Sequence, residues 1–274
     1  MALEDYEVVE IEALPIQVDA VEKAAVDVQV STAKAYPRNL SRVKNNVVAL
    51  STMDKKTAES CSYALPRGGK PITGPSVHLA RILAQQYGNM RAEAKVVEIT
   101  DKQVVSRGTA WDLESNYAVA FEVRRSISGK NGRYADDMIT VTGNAANAIA
   151  YRNAVLAVIP KGITDAAYNA AQDLITGDLS DEAKLIARRK KALDFYRDEY
   201  DIKESEVLKM LGKQSVSQIK ADQIKILIST EQALKDGDTT VDELMKNIRT
   251  HSIDEKKENL KDKKKSGQNS PTLL

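Results

Sequence analysis

The sequence predicts an α+β protein: a β-hairpin, a helix, a three-stranded antiparallel meander and a second helix form a core, followed by a small all-helical C-terminal domain. Three observations carry this. Strand-like runs at about 92–99, 104–111 and 117–127 are joined by turns short enough to make each run the antiparallel neighbour of the next. Helical spacing with recognisable start and stop residues brackets the runs on both sides. From about residue 165 onward the strand patterns disappear.

The elements follow in order. Residues 1–17 are acidic and interrupted by proline, an irregular leader. Helical segments at 18–35 and 39–53 come next, split at Tyr36-Pro37 because the residue before a proline disfavours the helical region. Residues 60–65 and 70–73 flank Arg67-Gly68-Gly69, where paired glycines allow a tight reversal, so this stretch reads as a basic hairpin. Gly74-Pro75-Ser76 opens a helix in which Val77, Ala80, Ala84 and Tyr87 repeat at helical spacing until Gly88, leaving His78, Arg81 and Gln85 on another face. In the third strand Tyr117, Val119, Phe121 and Val123 alternate with Ala118, Ala120, Glu122 and Arg124, the pattern of a half-buried strand. Residues 128–132 read as a flexible basic loop, 138–142 as a strand, and 144–159 as a long helix stopped by Pro160 and Gly162. Beyond 165 come a charged amphipathic helix at 181–200, containing Arg188-Arg189-Lys190-Lys191, and short helices over 204–244 with Gly212 and Gly237 as stops. Residues 254–274 are lysine-rich with almost no apolar content and cannot offset ordering entropy by burial.

Composition narrows the function classes. The net charge of the 274 residues is +1, but residues 1–35 hold eight acids and two bases, and residues 36–90 hold eight bases and two acids. An acidic leader thus precedes a basic, anion-seeking module. With 42% hydrophobic residues but no apolar run near the ~18 needed to span a membrane, the chain reads as soluble, cytoplasmic and without a secretion signal. One cysteine, Cys61, and two histidines, His78 and His251, argue against an internal disulfide and against Cys/His zinc sites. Neither a Walker-type phosphate loop nor a dinucleotide fingerprint is present, so no cofactor is expected.

Arg152 gives the clearest chemical signal. Ala145, Ala148, Ile149, Val155, Leu156 and Ile159 form an apolar stripe with Arg152 in its middle, where a guanidinium must find an anion. Two readings stand side by side: a structural ion pair with Asp136 or Asp137, and a phosphate ligand exploiting arginine's planar fork. Arg67 and Lys70 flank the Gly-Gly turn, whose amides can add to phosphate binding, although a solvated hairpin tip carries the same residues. Arg81 follows directly on the hairpin, and Lys130, Arg133 and Lys161 complete the candidate cations. Tyr63, Tyr134 and Tyr151 lie near these bases in sequence and are candidates for stacking on nucleotide bases, the bland alternative being core tyrosines. Asp112, Glu122 and Arg124 resemble the acid and E-x-K set of magnesium nucleases, except that arginine stands in the lysine position. No catalytic residue and no metal ligand is expected from these patterns.

The order hairpin, helix, meander, loop, helix resembles the core of the single-strand annealing proteins of the Rad-fifty-two superfamily. Two stretches carry the resemblance: residues 74–81 through Tyr87-Gly88, similar to the family's helix ending in an aromatic-Gly pair, and residues 144–161, similar to its last core helix. Residues 67–161 also resemble phage-encoded annealing proteins of the Sak, Erf and RecT kind. In that family basic residues of the last helix line the DNA groove, and Arg152 is the best match to them. Here Val155 and Ala157 occupy the region where further bases are usual, which shifts the expected footprint toward Arg67, Lys70 and residues 130–133. The resemblance implies ATP-independent binding of single-stranded DNA and annealing of complementary strands in phage homologous recombination, on a homo-oligomeric ring or filament and with no enzymatic step. The resemblance covers about a third of the chain; with the composition, the chain reads as an acidic leader and first helix (1–35), an annealing core (36–165), a helical C-terminal domain (166–250) and a disordered basic tail (251–274). The C-terminal domain would recruit a single-strand-binding protein or an exonuclease. The rivals are an oligomeric phage structural or adaptor protein without nucleic-acid function, and a magnesium-dependent nuclease.

Overall fold

Pro37 separates the first two helices of the computed structural model, which describes residues 15–66, 71–129, 132–177 and 181–247. Helix α1 spans Pro15–Ala35 and α2 spans Leu40–Ser51, the latter capped by Asn39, whose side chain accepts from the Arg42 amide. A short helix not anticipated from the sequence, α3 (Lys55–Ser60), follows, with Asp54 as its cap. The expected hairpin then forms from β1 (Ser62–Leu65) and β2 (Ile72–Pro75), antiparallel with Tyr63 opposite Gly74. Gly74 and Pro75, expected to open the next helix, instead finish β2. Ser76 is the cap of α4 (Val77–Tyr87), accepting from the Leu79 amide, and Gly88 ends it at a φ of 63°.

The meander is β3 (Met90–Ile99), β4 (Gln103–Asp112) and β5 (Tyr117–Ser126), antiparallel in the order β3-β4-β5, so among the described residues both outer strands are edges. Helix α5 (Asp136–Val158) crosses one face of this sheet. Gly108 on β4 makes that close approach possible: a Cβ there would sit 2.2 Å from the Ala150 carbonyl oxygen. Since Gly108 pairs with Phe121 and with Ala94, the set Tyr117, Val119, Phe121 and Val123 lies on the helix side, as its alternation predicts. Only Val119 and Val123 are packed against core clusters, however, while Tyr117 and Phe121 remain exposed.

Two expectations are corrected. Residues 138–142 are not a strand but the first turns of α5. The run Met138-Ile139-Thr140-Val141-Thr142 has strand-like composition, yet the Thr140 and Thr142 hydroxyls donate back to the carbonyls of Asp136 and Met138, and Ile139 is buried with Val104, Ile127 and Ala146. Acidic Asp136 and Asp137 in the first turn suit the helix dipole. Likewise the supposed flexible loop is flanked by a tight two-stranded ladder, β6 (Ser128–Gly129) with β7 (Gly132–Arg133). Ile127, wholly buried, anchors it, and the Tyr134 ring packs on Gly129, where a Cβ would come within 3.0 Å.

Beyond Pro160 lie α6 (Lys161–Gly177), α7 (Glu182–Tyr200, capped by Asp181), α8 (Glu204–Leu211, ended by Gly212), a 3-10 turn at Val216–Gln218, and α9 (Ala221–Lys235). Residues 241–247 are helical again. The expected boundary at residue 165 is not a break in packing. One apolar cluster joins Val47, Leu79, Ala154 and Val155 to Leu185, Tyr196, Ile224 and Leu227. Helix α9 packs on β1, where the Ser62 and Ser229 hydroxyls meet at 2.7 Å in the interior. The C-terminal helices therefore share one apolar core with the elements before them. The leader to residue 14 and the basic tail lie outside the described residues, and among those described no helix is long and apolar enough to cross a membrane.

Candidate nucleic-acid interface

The hairpin, α4 and α5 bring part of the expected set together. Arg152, in the middle of α5's apolar stripe, is 7% exposed. Its guanidinium lies over the Tyr63 ring, 4.3 Å from the centroid, and its Nη1 donates to Asp238 Oδ2 at 2.8 Å. The anion that Arg152 requires is thus neither Asp136 nor Asp137, which stand in the first turn of its own helix, but a carboxylate 86 residues further along the chain. Tyr63 reaches this position because its partner across the hairpin is Gly74, where a Cβ would come within 3.0 Å of the ring.

Asp238 belongs to a turn that follows α9 and presses on the core. Gly237 has a φ of 74°, in the region glycine adopts freely, and a Cβ there would lie 2.9 Å from that of Ala145 on α5. Arg125 on β5 donates to the Asp238 carbonyl at 2.7 Å and to Glu243 at 3.2 Å. His78 on α4 sits 2.9 Å from Asp236 Oδ1, which also accepts from the Gln232 amide. Burial raises the Asp238 carboxyl above the ordinary aspartate range; Arg152 pulls it down, Asp236 pushes it up and Arg125 pulls it down, and burial wins. Its Oδ1, like Asp236 Oδ2, is buried and has no hydrogen-bond partner among the described residues.

The other candidates are dispersed. Arg81 is exposed on α4 beside half-buried Tyr151, whose hydroxyl is raised by burial and lowered in part by Arg81. Arg133 reaches the Thr100 carbonyl at 3.0 Å from the β6–β7 ladder. Lys161, 85% exposed at the side chain, pairs with Asp165 at 2.6 Å one turn along α6. Of the three tyrosines, Tyr151 packs against the main cluster and Tyr134 against the smaller one around Ile127. Arg67, Lys70 and Lys130 lie outside the described residues.

The carboxylates of the nuclease reading are not brought together. Asp112 pairs with Tyr117 across the ladder, and Glu122, five residues on from Tyr117, points to the opposite face of the sheet. Asp112 instead accepts from Arg38 on both oxygens, at 2.8 and 2.5 Å, and from Ser115 and the Glu114 amide. Burial raises its carboxyl, but these hydrogen bonds outweigh that and bring it to about 2. Arg38, whose guanidinium also lies 3.7 Å over the Tyr87 ring, was given no role by the sequence: it follows the helix-breaking proline, and its carboxylate partners lie more than 70 residues away. The cation next to Pro37, with no acid nearby in sequence, was the only available signal.

No family model matches the chain, and neither the curated proteins nor the solved structures include one that matches it.

Proposed function

We propose that this protein binds single-stranded DNA without ATP and anneals complementary strands as a homo-oligomer. One observation supports the reading above others: along the succession hairpin, helix, meander, helix, an arginine stacked on a tyrosine stands where β1, α5 and the turn at 236–239 meet, held by a carboxylate in the role a phosphate oxygen would take. Strand contacts in this reading begin at the exposed cations Arg81, Arg133 and Lys161, with Arg67, Lys70 and Lys130 as sequence-based additions. Arg152 joins them when Asp238 gives way. A polar track holding phosphates leaves base edges free to pair with a second strand, so pairing supplies the specificity. Among the described residues both outer strands of the three-stranded sheet are edges, which suits assembly into a larger array.

The test mixes two complementary oligonucleotides with the full chain, without nucleotide or metal, and follows duplex formation by fluorescence. Faster annealing at low salt, lost as salt rises, is expected. Absence of annealing at low salt, or a requirement for ATP, overturns the reading. An adaptor protein without nucleic-acid function would show no salt-dependent binding to a labelled single strand, and a nuclease would degrade it on addition of magnesium.

A further inference from the structure

Helix α1 is long, and little holds it. Of the side chains described along it only Ala33 is buried, with Val26 and Val30 half-buried on the same stripe. The helix is rich in valine, a weak helix former, and isolated helices of such length are marginal in water. Even its inward stripe sits loosely: a groove of about 380 Å³, lined by Glu22, Lys23, Val26, Arg91, Thr109 and Trp111 among others, lies between α1 and the outer face of the sheet, bridged by Arg91 and Glu22 at 2.9 Å.

A second stripe faces away from the molecule. Val21, Ala25, Val28, Thr32 and Ala35 are all exposed and are spaced four, three, four and three residues apart. Val21 is 71% and Val28 65% exposed. At roughly 100° per residue the stripe stands about 145° around the helix from Val26, Val30 and Ala33, so it is a separate surface. Alternating steps of three and four are what one helix presents along a seam with another. Exposed Tyr36 and Leu40 continue the apolar surface in the chain that follows.

We propose that a second copy of this chain docks on this outward stripe, α1 against α1, as a two-fold antiparallel helix pair. The composition of the stripe selects that occupant. Its flanks are Ala24 and Ser31 on one side and Glu22 and Gln29 on the other, and Glu22 is already engaged by Arg91. A polyanion finds no cation along the seam, since Lys23 and Lys34 lie on another part of the helix, and a charged peptide finds nothing to pair with. An identical stripe running the other way sets Val28 against alanine and Val21 against threonine in both directions, so large meets small throughout and no like charges face one another. A two-fold contact of this kind is self-complementary and closes on itself. The antiparallel arrangement also opposes the two helix dipoles. From Val21 to Ala35 the stripe makes a seam of about 21 Å, some two heptads. The inference does not rest on the nucleic-acid reading.

The test uses the full chain with Val21→Glu and Val28→Glu together. Both side chains are exposed in the single chain, so the circular dichroism spectrum and melting temperature are expected to hold. Sedimentation velocity at tens of micromolar is expected to show a twofold fall in assembled mass relative to the unaltered protein. An unchanged mass distribution, including a monomer in both cases, overturns the proposal. A second variant, Val28→Cys, is expected to give a covalent dimer with a short bismaleimide, because Cys61 is buried and does not compete; no cross-linked dimer also overturns it. Binding of a labelled oligonucleotide, measured on the double-glutamate protein alongside, separates the two ideas: halved mass with binding kept supports this interface whatever the fate of the annealing reading, and unchanged mass with binding kept removes this interface alone.

Discussion

Two buried arginine–aspartate pairs in this protein behave differently. At the corner of the meander, Asp112 accepts four hydrogen bonds on its two oxygens, two of them from Arg38, and its carboxyl falls to about 2 despite burial. Beside α5, Asp238 accepts one, from Arg152, and burial keeps its carboxyl above the ordinary range. The first pair fastens the linker after α1 to the ends of α4 and β4. The second joins the turn after α9 to the hairpin and α5, and leaves one carboxylate oxygen without a partner among the described residues. Satisfaction of the carboxylate, rather than its burial or the presence of an arginine, separates the two pairs.

The largest expected effect is at the first pair. Arg38→Ala leaves Asp112 buried beside Glu114 with no cation, and a loss of about 3–5 kcal/mol in unfolding free energy is expected from thermal or urea melts. Arg38→Lys cannot reproduce the two-pronged contact and is expected to recover only part of that loss. A melting temperature unchanged in Arg38→Ala would erase the distinction between the pairs.

Arg152→Ala is expected to cost less, about 1–3 kcal/mol, because Asp238 is already pushed toward its neutral form and can take up a proton when its partner is removed. The same variant sharpens the annealing reading: if Arg152 reaches phosphate, the slope of log affinity for single strands against log salt falls by roughly 0.7. An unchanged slope in a folded protein assigns Arg152 to the core alone.

Acid titration carries the contrast in opposite signs. Asp112, with a folded pKa of about 2, contributes stability that is present above the unfolded value of about 4 and is lost as pH falls toward 2. Asp238, raised on folding, contributes stability below the unfolded value that is lost as pH rises through its folded value. Urea melts from pH 2.5 to 6 of Asp238→Asn and Ser115→Ala are expected to flatten these two regions separately. If both variants shift the same limb, the assignment of the two carboxyls is wrong.

Smaller still, Gly237→Ala places a side chain against Ala145 at a left-handed backbone position, and about 1–2 kcal/mol is expected. Asp238→Asn removes a poorly satisfied charge and is expected to change stability by about 1 kcal/mol or less. In the annealing reading it also frees Arg152 and strengthens binding to single strands; weaker binding in Asp238→Asn would show that the aspartate supports the interface instead of covering it.

How much of this was legible beforehand depends on the distance over which each signal acts. Pro37, Gly88, Pro160 and Gly212 punctuate the helices where the sequence places them, because capping and φ restriction involve a few neighbouring residues. The three strands of the meander were legible from strand-like runs joined by short turns, the third also from its period-2 alternation. The run 138–142 was misread because its composition favours a strand, and only the packing of Ile139 under the sheet and the back-bonding threonines reverse that preference. The two strands of the hairpin were legible, whereas the turn at 236–239 that closes over Arg152 was not.

The sequence by itself determined that Arg152 needs an anion, since its place in an apolar stripe follows from helical periodicity alone. It determined the succession of hairpin, α4 and three-stranded meander for the same reason: each is written in residues a few positions apart. Which anion Arg152 meets, why Arg38 matters and where α9 packs were decided only in the tertiary structure. Those outcomes join residues 74 to 167 positions apart, and whether a charge is satisfied or left short of partners depends on every group that burial brings within about 3 Å of it.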